Sequence, residues 1–383
     1  MQMSACATLD PEAQPLVEPT RDLSFYRCQG VSALAGHDMR TRAAVAEWLA
    51  ELLGFRFTGD CTADDPPAPG TYLVPSDTLC SFEEARRLGI SGTGDFFGGV
   101  VPFPFVATKL VTHGLVSPQA DAPPGWPQLL DRELGNAVLP GYSVFSKDDA
   151  RQAGVRLLEQ GPIRIKDAGG VGGSGQSVAT TSQELAEQLD ALGADRLAQG
   201  FVIERNLSQV ATCSVGQIRV GPWTASYVGK QRTTRNHKGK EVYAGSRLTV
   251  VKGDFDVLMR LDLSPCIRLA VEQALHYHRV MHEAFKGMFA SRCNYDVAQG
   301  LDPQGASVQG VLEQSWRIGG CSGAEMAALK AFKEHDAYVV RASTHEIYGP
   351  AVVPRGARVL FDGVDPHAGR LIKYAQVHRN VHA

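Results

Sequence analysis

Apolar and polar positions follow two rhythms along this chain. Over residues 40–53, Arg-Thr-Arg-Ala-Ala-Val-Ala-Glu-Trp-Leu-Ala-Glu-Leu-Leu, apolar side chains recur at helical spacing and Gly54 follows at once, which predicts a helix stopped by a glycine. Phe55–Phe57 and Thr71–Val74 read as short strands on either side of a Pro/Asp-rich turn at 62–70. Ser81, with Glu84 three positions on, is a capping box that opens another helix. Helix and strand alternate, so about the first hundred residues predict a small α/β unit with a parallel sheet.

Further on, 93–108 carries Gly98, Gly99, Pro102 and Pro104 and reads as a linker, and Lys109 starts a short helical stretch. A helix over 147–159, a strand at Ile163–Ile165, a second strand after the glycines at 169–175, a helix over 182–192 and a strand at Phe201–Glu204 make a second small unit. Residues 205–252 turn β-rich, with the basic run 230–240 among the strands. A long helix covers 264–286, and strands at 292–298 and 307–315 flank a turn at Leu301–Gly305. Ser322 is the expected N-cap of a helix at 324–334, and 337–378 holds one or two strands among Pro and Gly. Residues 1–20 read as a loose tail, and no internal repeat is present.

Composition narrows the class. With 44% apolar and 21% charged residues the 383-residue chain can bury a core, and a net charge of −3 gives no reason to expect nucleic acid or an anionic membrane as partner. The eight cysteines are scattered without a Cys-x-x-Cys pair, which argues against a zinc knuckle or disulfide framework and fits a reducing cytosol. No apolar run is long enough to span a membrane, and Met-Gln-Met-Ser-Ala-Cys lacks the features of a signal peptide, so a cytoplasmic location is expected.

The richest chemistry lies at 162–176, Pro-Ile-Arg-Ile-Lys-Asp-Ala-Gly-Gly-Val-Gly-Gly-Ser-Gly-Gln. Glycines let a backbone approach a ligand closely, successive free N–H groups form an anion site, and Lys166 beside them supplies a point charge. The reading is a nucleotide phosphate clamp, with Lys166 expected to carry little packing at a strand end. Gly170-x-Gly172-x-x-Gly175 also fits a dinucleotide fingerprint, but the strand-like Gln176–Thr180 follows instead of a helix, and no Gly-Lys-Ser/Thr marks a Walker loop. A plain flexible hairpin is the remaining alternative.

The second signal is the pair of strands 292–298 and 307–315. With Pro303-Gln304 as a two-residue turn, Asp296 faces Val311 and Asn294 faces Glu313. Asp296, Glu313 and Arg317 then share one face, with Ser315 between the last two. Neighbouring carboxylates repel unless a cation joins them, and Mg2+ held by carboxylates and phosphate oxygens is the usual arrangement. A solvated strand face with a salt bridge is the plainer reading.

Taken together, a strand ending in Lys166, a Gly-rich hairpin, a strand ending in Glu204, then Asp296 and Glu313-Gln-Ser-Trp-Arg317-Ile-Gly-Gly resemble the ATP-grasp superfamily in order and spacing, over roughly residues 105–335. The resemblance implies an α/β chain, α+β in the core, with an ATP-grasp fold behind an N-terminal Rossmann-like pre-ATP-grasp domain. It implies ATP and Mg2+ as cofactors. Lys109 and Lys166 become the two nucleotide lysines. Gly169, Gly170, Gly172, Gly173, Ser174 and Gly175 become the loop over the triphosphate, and Glu204 the residue where the hinge strand meets adenine. Asp296 and Glu313 become metal ligands, and Arg317, with Lys166, a catalytic group at the γ-phosphate. Ser315 stands where the family usually has a metal-binding asparagine, and Ala211 where a ribose-binding acid is common.

The implied activity is an ATP-dependent ligase: a carboxylate takes the γ-phosphoryl of ATP and an amine or similar nucleophile displaces phosphate, with bicarbonate as a variant carboxylate. The alternative is a nucleotide-binding regulatory protein on a degenerate scaffold. The expected partners are a small carboxylate substrate, no nucleic acid and no membrane, with a homodimer left open. The expected division is a tail at 1–20, an α/β domain at 21–105, an ATP-grasp domain at 106–355 with a lid at about 145–205, and an extension at 356–383. Lesser candidates for substrate contacts are Lys230, Arg232, Arg247, Gly320 and Ser322. His278 and His282, four apart on a helix, form a metal pair without an evident third ligand, so an ordinary amphipathic helix is favoured. Cys321 lacks an assignable base, so a structural role is favoured over a nucleophile.

Overall fold

The protein is described here from a computed structural model covering residues 21–28, 36–170, 175–335 and 337–378. The chain begins with β1 (Asp22–Tyr26), α1 (His37–Leu53), β2 (Arg56–Cys61), β3 (Tyr72–Pro75) and α2 (Phe82–Arg87). The three strands form a parallel sheet in the order β2-β1-β3, as the alternation predicts. Gly54 closes α1 in the left-handed region at φ 71°, where a side chain would be strained. The Ser81 hydroxyl accepts the N–H groups of Glu83 and Glu84 at the start of α2. The expected linker is tied down: β4 (Gly99–Val100) pairs with β12 (Phe289–Ala290).

After α3 (Leu130–Leu134) come β5 (Gly141–Val144), α4 (Lys147–Leu158), β6 (Ile163–Asp167), β7 (Gln176–Ala179), α5 (Ser182–Asp190), α6 (Ala194–Gln199) and β8 (Phe201–Arg205). The four strands form an antiparallel sheet, β5-β8-β6-β7. Apolar residues of α4 and α5, among them Leu157 and Leu185, cover it and enclose a separate core.

The rest of the chain builds an eight-stranded antiparallel sheet. Its members are β9 (Ser208–Val220), β10 (Trp223–Arg235), β11 (Glu241–Lys252), β13 (Arg292–Leu301), β14 (Ser307–Ser315), β15 (Val339–Tyr348), β16 (Arg358–Asp365) and β17 (Gly369–His378), with α7 (Phe255–Met259), α8 (Pro265–Ala284) and α9 (Ser322–Glu334) between them. The order is β14-β13-β9-β10-β11-β15-β17-β16. One face, through Ile218, Tyr227, Leu248 and Ala342, packs on α9 and α1. The other, through Val215, Val228, Tyr295 and Val297, packs on α8. Among the described residues no helix is long and apolar enough to cross a membrane.

Three expectations need correction. The region after 337 is three long strands, so the expected boundary at 355/356 cuts the eight-stranded sheet. Ser322 is the first residue of α9 rather than its N-cap, and its hydroxyl accepts the Gly319 N–H. The β13–β14 loop is longer than two residues: Leu301 pairs with Ser307, and Asp302 accepts the N–H groups of Gln304 and Ala306. That register alone would turn Asp296 and Glu313 to opposite faces. A bulge at Leu312 restores them, because Val297 pairs with Val311 whereas Asp296 pairs with Glu313. The predicted facing pairs are therefore replaced, while the shared face is kept.

Candidate functional site

Asp296 and Glu313 meet across the β13–β14 ladder, and the next same-face pair is Asn294 opposite Ser315. The Asp296 carboxylate accepts Asn294 Nδ2–H at 2.9 Å and the Ser214 hydroxyl at 3.1 Å. Burial, and then the charge of Glu313, push the Asp296 carboxyl above its ordinary range, while these hydrogen bonds oppose the rise. Two hard-oxygen carboxylates with the Ser315 hydroxyl alongside suit Mg2+, and the Asn294 amide, its oxygen taken by the Tyr227 hydroxyl, serves to orient Asp296. Among the described residues no three His, Cys, Asp or Glu side chains cluster as a metal cage, so the remaining ligands of such an ion would be phosphate oxygens and water.

Lys109 lies in a 3₁₀ turn, Lys109–Thr112, under the Gly-rich loop. It is 5% exposed; its Nζ sits 3.0 Å from Glu313 Oε2 and donates to the Gly170 carbonyl at 2.5 Å. One cation thus joins the carboxylate strand to the loop. Gly175 holds φ +66°, and a Cβ there would strike the Asp167 carboxylate, which explains a glycine where β7 begins. Gly172, Gly173 and Ser174 lie outside the described residues.

Lys166 and Glu204 occupy facing strands of the smaller sheet and form a buried ion pair. His113 Nε2 lies 3.2 Å from the second Glu204 oxygen, Oε2. Burial raises the Glu204 carboxyl, but the Lys166 charge and the His113 contact outweigh it and hold the group at about 2. The expectation that Lys166 carries little packing is overturned, because it is 4% exposed and neutralises a buried carboxylate. Neither Lys166 nor Glu204 lines the main cavity.

That cavity, about 730 Å3, lies between the β3 end of the parallel sheet and the β14 end of the large one. Lys109, Gly169, Gly170, Glu313, Ser315 and Arg317 line one side, and Asp77, Glu84 and Arg87 the other. Arg317 Nε lies 3.4 Å from Asp77 Oδ1. Behind it Arg292, buried and bidentate to Glu325, donates to the Ser315 carbonyl at 3.2 Å and to that of Arg317. This braces the strand end carrying Arg317.

Other candidates fall elsewhere. A lateral row of paired residues runs Val297, Cys213, Lys230, Arg247, Ser343, and Asp296 is adjacent to Val297, so Lys230 and Arg247 occupy the face opposite the carboxylates. Arg232 donates to the Ala244 and Thr344 carbonyls, away from the cavity. Gly320 permits close approach of the Tyr243 ring, 2.9 Å from where a Cβ would stand. The Cys321 thiol is buried; burial first, and then Glu325, push it up to about 12, so the structural reading holds. His278 Nδ1 meets the Tyr295 hydroxyl at 2.6 Å, and burial lowers both His278, to about 3, and His282. Sequence reasoning missed Asn294, His113 and Asp77. Asn294 was within reach, two residues before Asp296 on the same strand; His113 and Asp77 become visible only through tertiary contacts.

The family described as "Protein of unknown function (DUF3182)" matches residues 25–375. No curated protein matches the sequence. Among solved structures, the chain is similar to D-alanyl-alanine synthetase A from Vibrio cholerae, at 12% identity and a TM-score of 0.52, covering 82% of this chain and 94% of that one. It is also similar to the biotin carboxylase of Campylobacter jejuni, solved as a β,γ-ATP complex, at 11% identity and 0.50, covering 93% and 87%. A third is the biotin carboxylase domain of Hydrogenobacter thermophilus 2-oxoglutarate carboxylase, solved with MgADP and bicarbonate, at 12% and 0.50, covering 94% and 86%. These are ATP-grasp enzymes, and the chain has the ATP-grasp fold.

Proposed function

Starting from a chain that belongs to the DUF3182 family, we propose an ATP-dependent ligase that activates a small carboxylate as an acyl phosphate and joins it to an amine or similar nucleophile. One observation carries the reading. Asp296 and Glu313 are paired across two strands, and Lys109 links Glu313 to the Gly-rich loop beside a cavity that Arg317 also lines. An arrangement of acids, cations and close backbone around one cavity suits phosphoryl transfer, where positioning and charge neutralisation do the catalysis.

In this reading the glycine backbone at 169–170 and Lys109 hold the triphosphate. Asp296 and Glu313 would hold Mg2+, with the Ser315 hydroxyl alongside and Asn294 orienting Asp296 through its amide N–H. The ion, when bound, neutralises charge on the phosphate oxygens. Arg317, oriented by Asp77, faces the phosphoryl group as it passes to the substrate carboxylate. Lys166 acts as a fixed charge at the root of the loop, positioned by Glu204. The carboxylate attacks the γ-phosphorus, ADP leaves, and the nucleophile then displaces phosphate from the acyl carbon. The parallel β2-β1-β3 unit with α1 supports reading residues 21–105 as a Rossmann-like domain that supplies the far wall of the cavity, and the separate core around Leu157 and Leu185 supports a lid at about 145–205.

The test is ADP formation by the whole chain with Mg2+ and a panel of carboxylate and amine pairs. The reading expects ADP release that requires one particular carboxylate and is lost in Arg317→Ala. ADP release that ignores every acid in the panel and survives Arg317→Ala contradicts it.

A further inference from the structure

Lys230, Arg247 and Ser343 are lateral neighbours on the face of the large sheet turned away from the carboxylates. Arg232 and His345 share that face one step along the strands, and Arg341 pairs with His378 one step the other way. α9 packs on β11, β15 and β17 from the opposite face, through residues such as Ala342 and Ala375. Where β15 meets β17 no helix of the described residues covers the basic face.

The side chains are organised around Ser343. Its hydroxyl lies 2.8 Å from His345 Nε2 and 2.7 Å from His378 Nε2. Arg232 Nη2 lies 3.1 Å from His345 Nδ1, and the His345 ring stacks on Tyr374 at 4.5 Å. Because an arginine only donates, His345 Nδ1 must accept, and its Nε2–H then points at Ser343. After burial, the neighbouring Arg232 and Arg247 lower both imidazoles, His345 to about 4. Among the described residues none of Lys230, Arg232, Arg247 and Arg341 makes an ion pair, whereas Lys373, on the other face of β17, is matched by Asp38 and Glu346. Like charges gathered on a rigid sheet repel unless an anion sits among them.

We infer that this face is a binding site for a small polyanion, its charge carried by phosphoryl or carboxylate oxygens, separate from the proposed ATP site. Size selects the ligand. Four strands at ~4.8 Å spacing and two same-face steps of ~6.7 Å bound the patch at about 14 Å by 13 Å. Duplex nucleic acid engages a basic surface through about six to ten phosphates, a longer footprint than this. Four cations that share this face with a hydroxyl and two imidazoles fit an anion the size of a diphosphate or a tricarboxylate. The inference does not depend on ligase activity.

Calorimetric titration of the full chain with inorganic pyrophosphate, and separately with citrate, tests it against the Lys230→Gln/Arg247→Gln double variant. Both substituted side chains are exposed, so the fold is expected to survive, and far-UV circular dichroism checks this. Titrations are repeated in Lys109→Ala, which removes the cation at the proposed nucleotide site. At least one anion should bind in Lys109→Ala as in the unaltered chain, weaken at least tenfold in the double variant, and shift the imidazole NMR signals of His345 and His378. Which of the two anions binds distinguishes phosphoryl from carboxylate recognition. Binding unchanged in the double variant, binding that vanishes in Lys109→Ala, or no binding of either anion overturns the inference.

Discussion

Glu204→Gln tests how the smaller sheet is joined to the nucleotide side of the fold. Glu204 is 2% exposed, and its two oxygens are divided between Lys166 and His113. Glutamine keeps the size but removes the charge, leaving Lys166 buried without its counter-ion. A carboxyl held at about 2 rather than 4.5 corresponds, at ~1.4 kcal/mol per unit, to ~3 kcal/mol. Breaking one side of a buried pair costs about 3–5 kcal/mol, in the same range. With an m-value of about 3 kcal/mol/M the urea midpoint at pH 7 should fall by about 1 M. The pH dependence has a definite sign. Because the folded pKa is depressed, the stabilisation is present above about 4.5 and is lost as pH falls toward 2. The gap between the unaltered chain and the variant should therefore close over that window. A gap below about 1 kcal/mol at pH 7, or one equally large at pH 2.5, would refute the assignment of Glu204 as an ionised partner of Lys166.

Lys166→Ala strands Glu204 in turn and should lower stability by about 3–5 kcal/mol; an unchanged urea midpoint would mean that the pair contributes nothing. Cys321, buried with its thiol pushed up to about 12, should react with a maleimide at pH 7.5 at least ~100-fold more slowly in native protein than in urea, and fast native labelling would contradict its burial. Amide exchange at Gly170 and Gly175 should slow when Mg2+ and a non-hydrolysable ATP analogue are added, and equal exchange with and without them would count against the phosphate clamp.

Much of the fold was readable because local signals were strong. The Gly54 stop, the Ser81 cap, the helix at 265–284 and the hairpin around the glycines all follow from short-range chemistry. The shared face of Asp296 and Glu313 was also readable, although for an incomplete reason. Alternation along a strand is local, whereas the five-residue loop and the bulge at Leu312 are set by how β13 packs between β14 and β9. The strands after 337 were under-read because Pro and Gly punctuate them and their hydrogen-bond partners are distant in sequence. Lys166 was expected to carry little packing because nothing in Ile-Arg-Ile-Lys-Asp reveals that Glu204 lies opposite. Lys230 and Arg247 were grouped with the site by charge alone, and only the lateral register assigns them to the other face.

The central claim is that Asp296 and Glu313 form a site for Mg2+ and ATP together, and the most direct measurement is the affinity for ATP with and without Mg2+, before and after Glu313→Gln. The unaltered chain should bind ATP more tightly with Mg2+ than without. Losing one charged ligand is worth about 1.5–3 kcal/mol, so the variant should forfeit about 10- to 150-fold of that enhancement while its Mg2+-free affinity changes little. An enhancement of the same size in both proteins, or ATP binding indifferent to Mg2+ in the unaltered chain, would contradict the account.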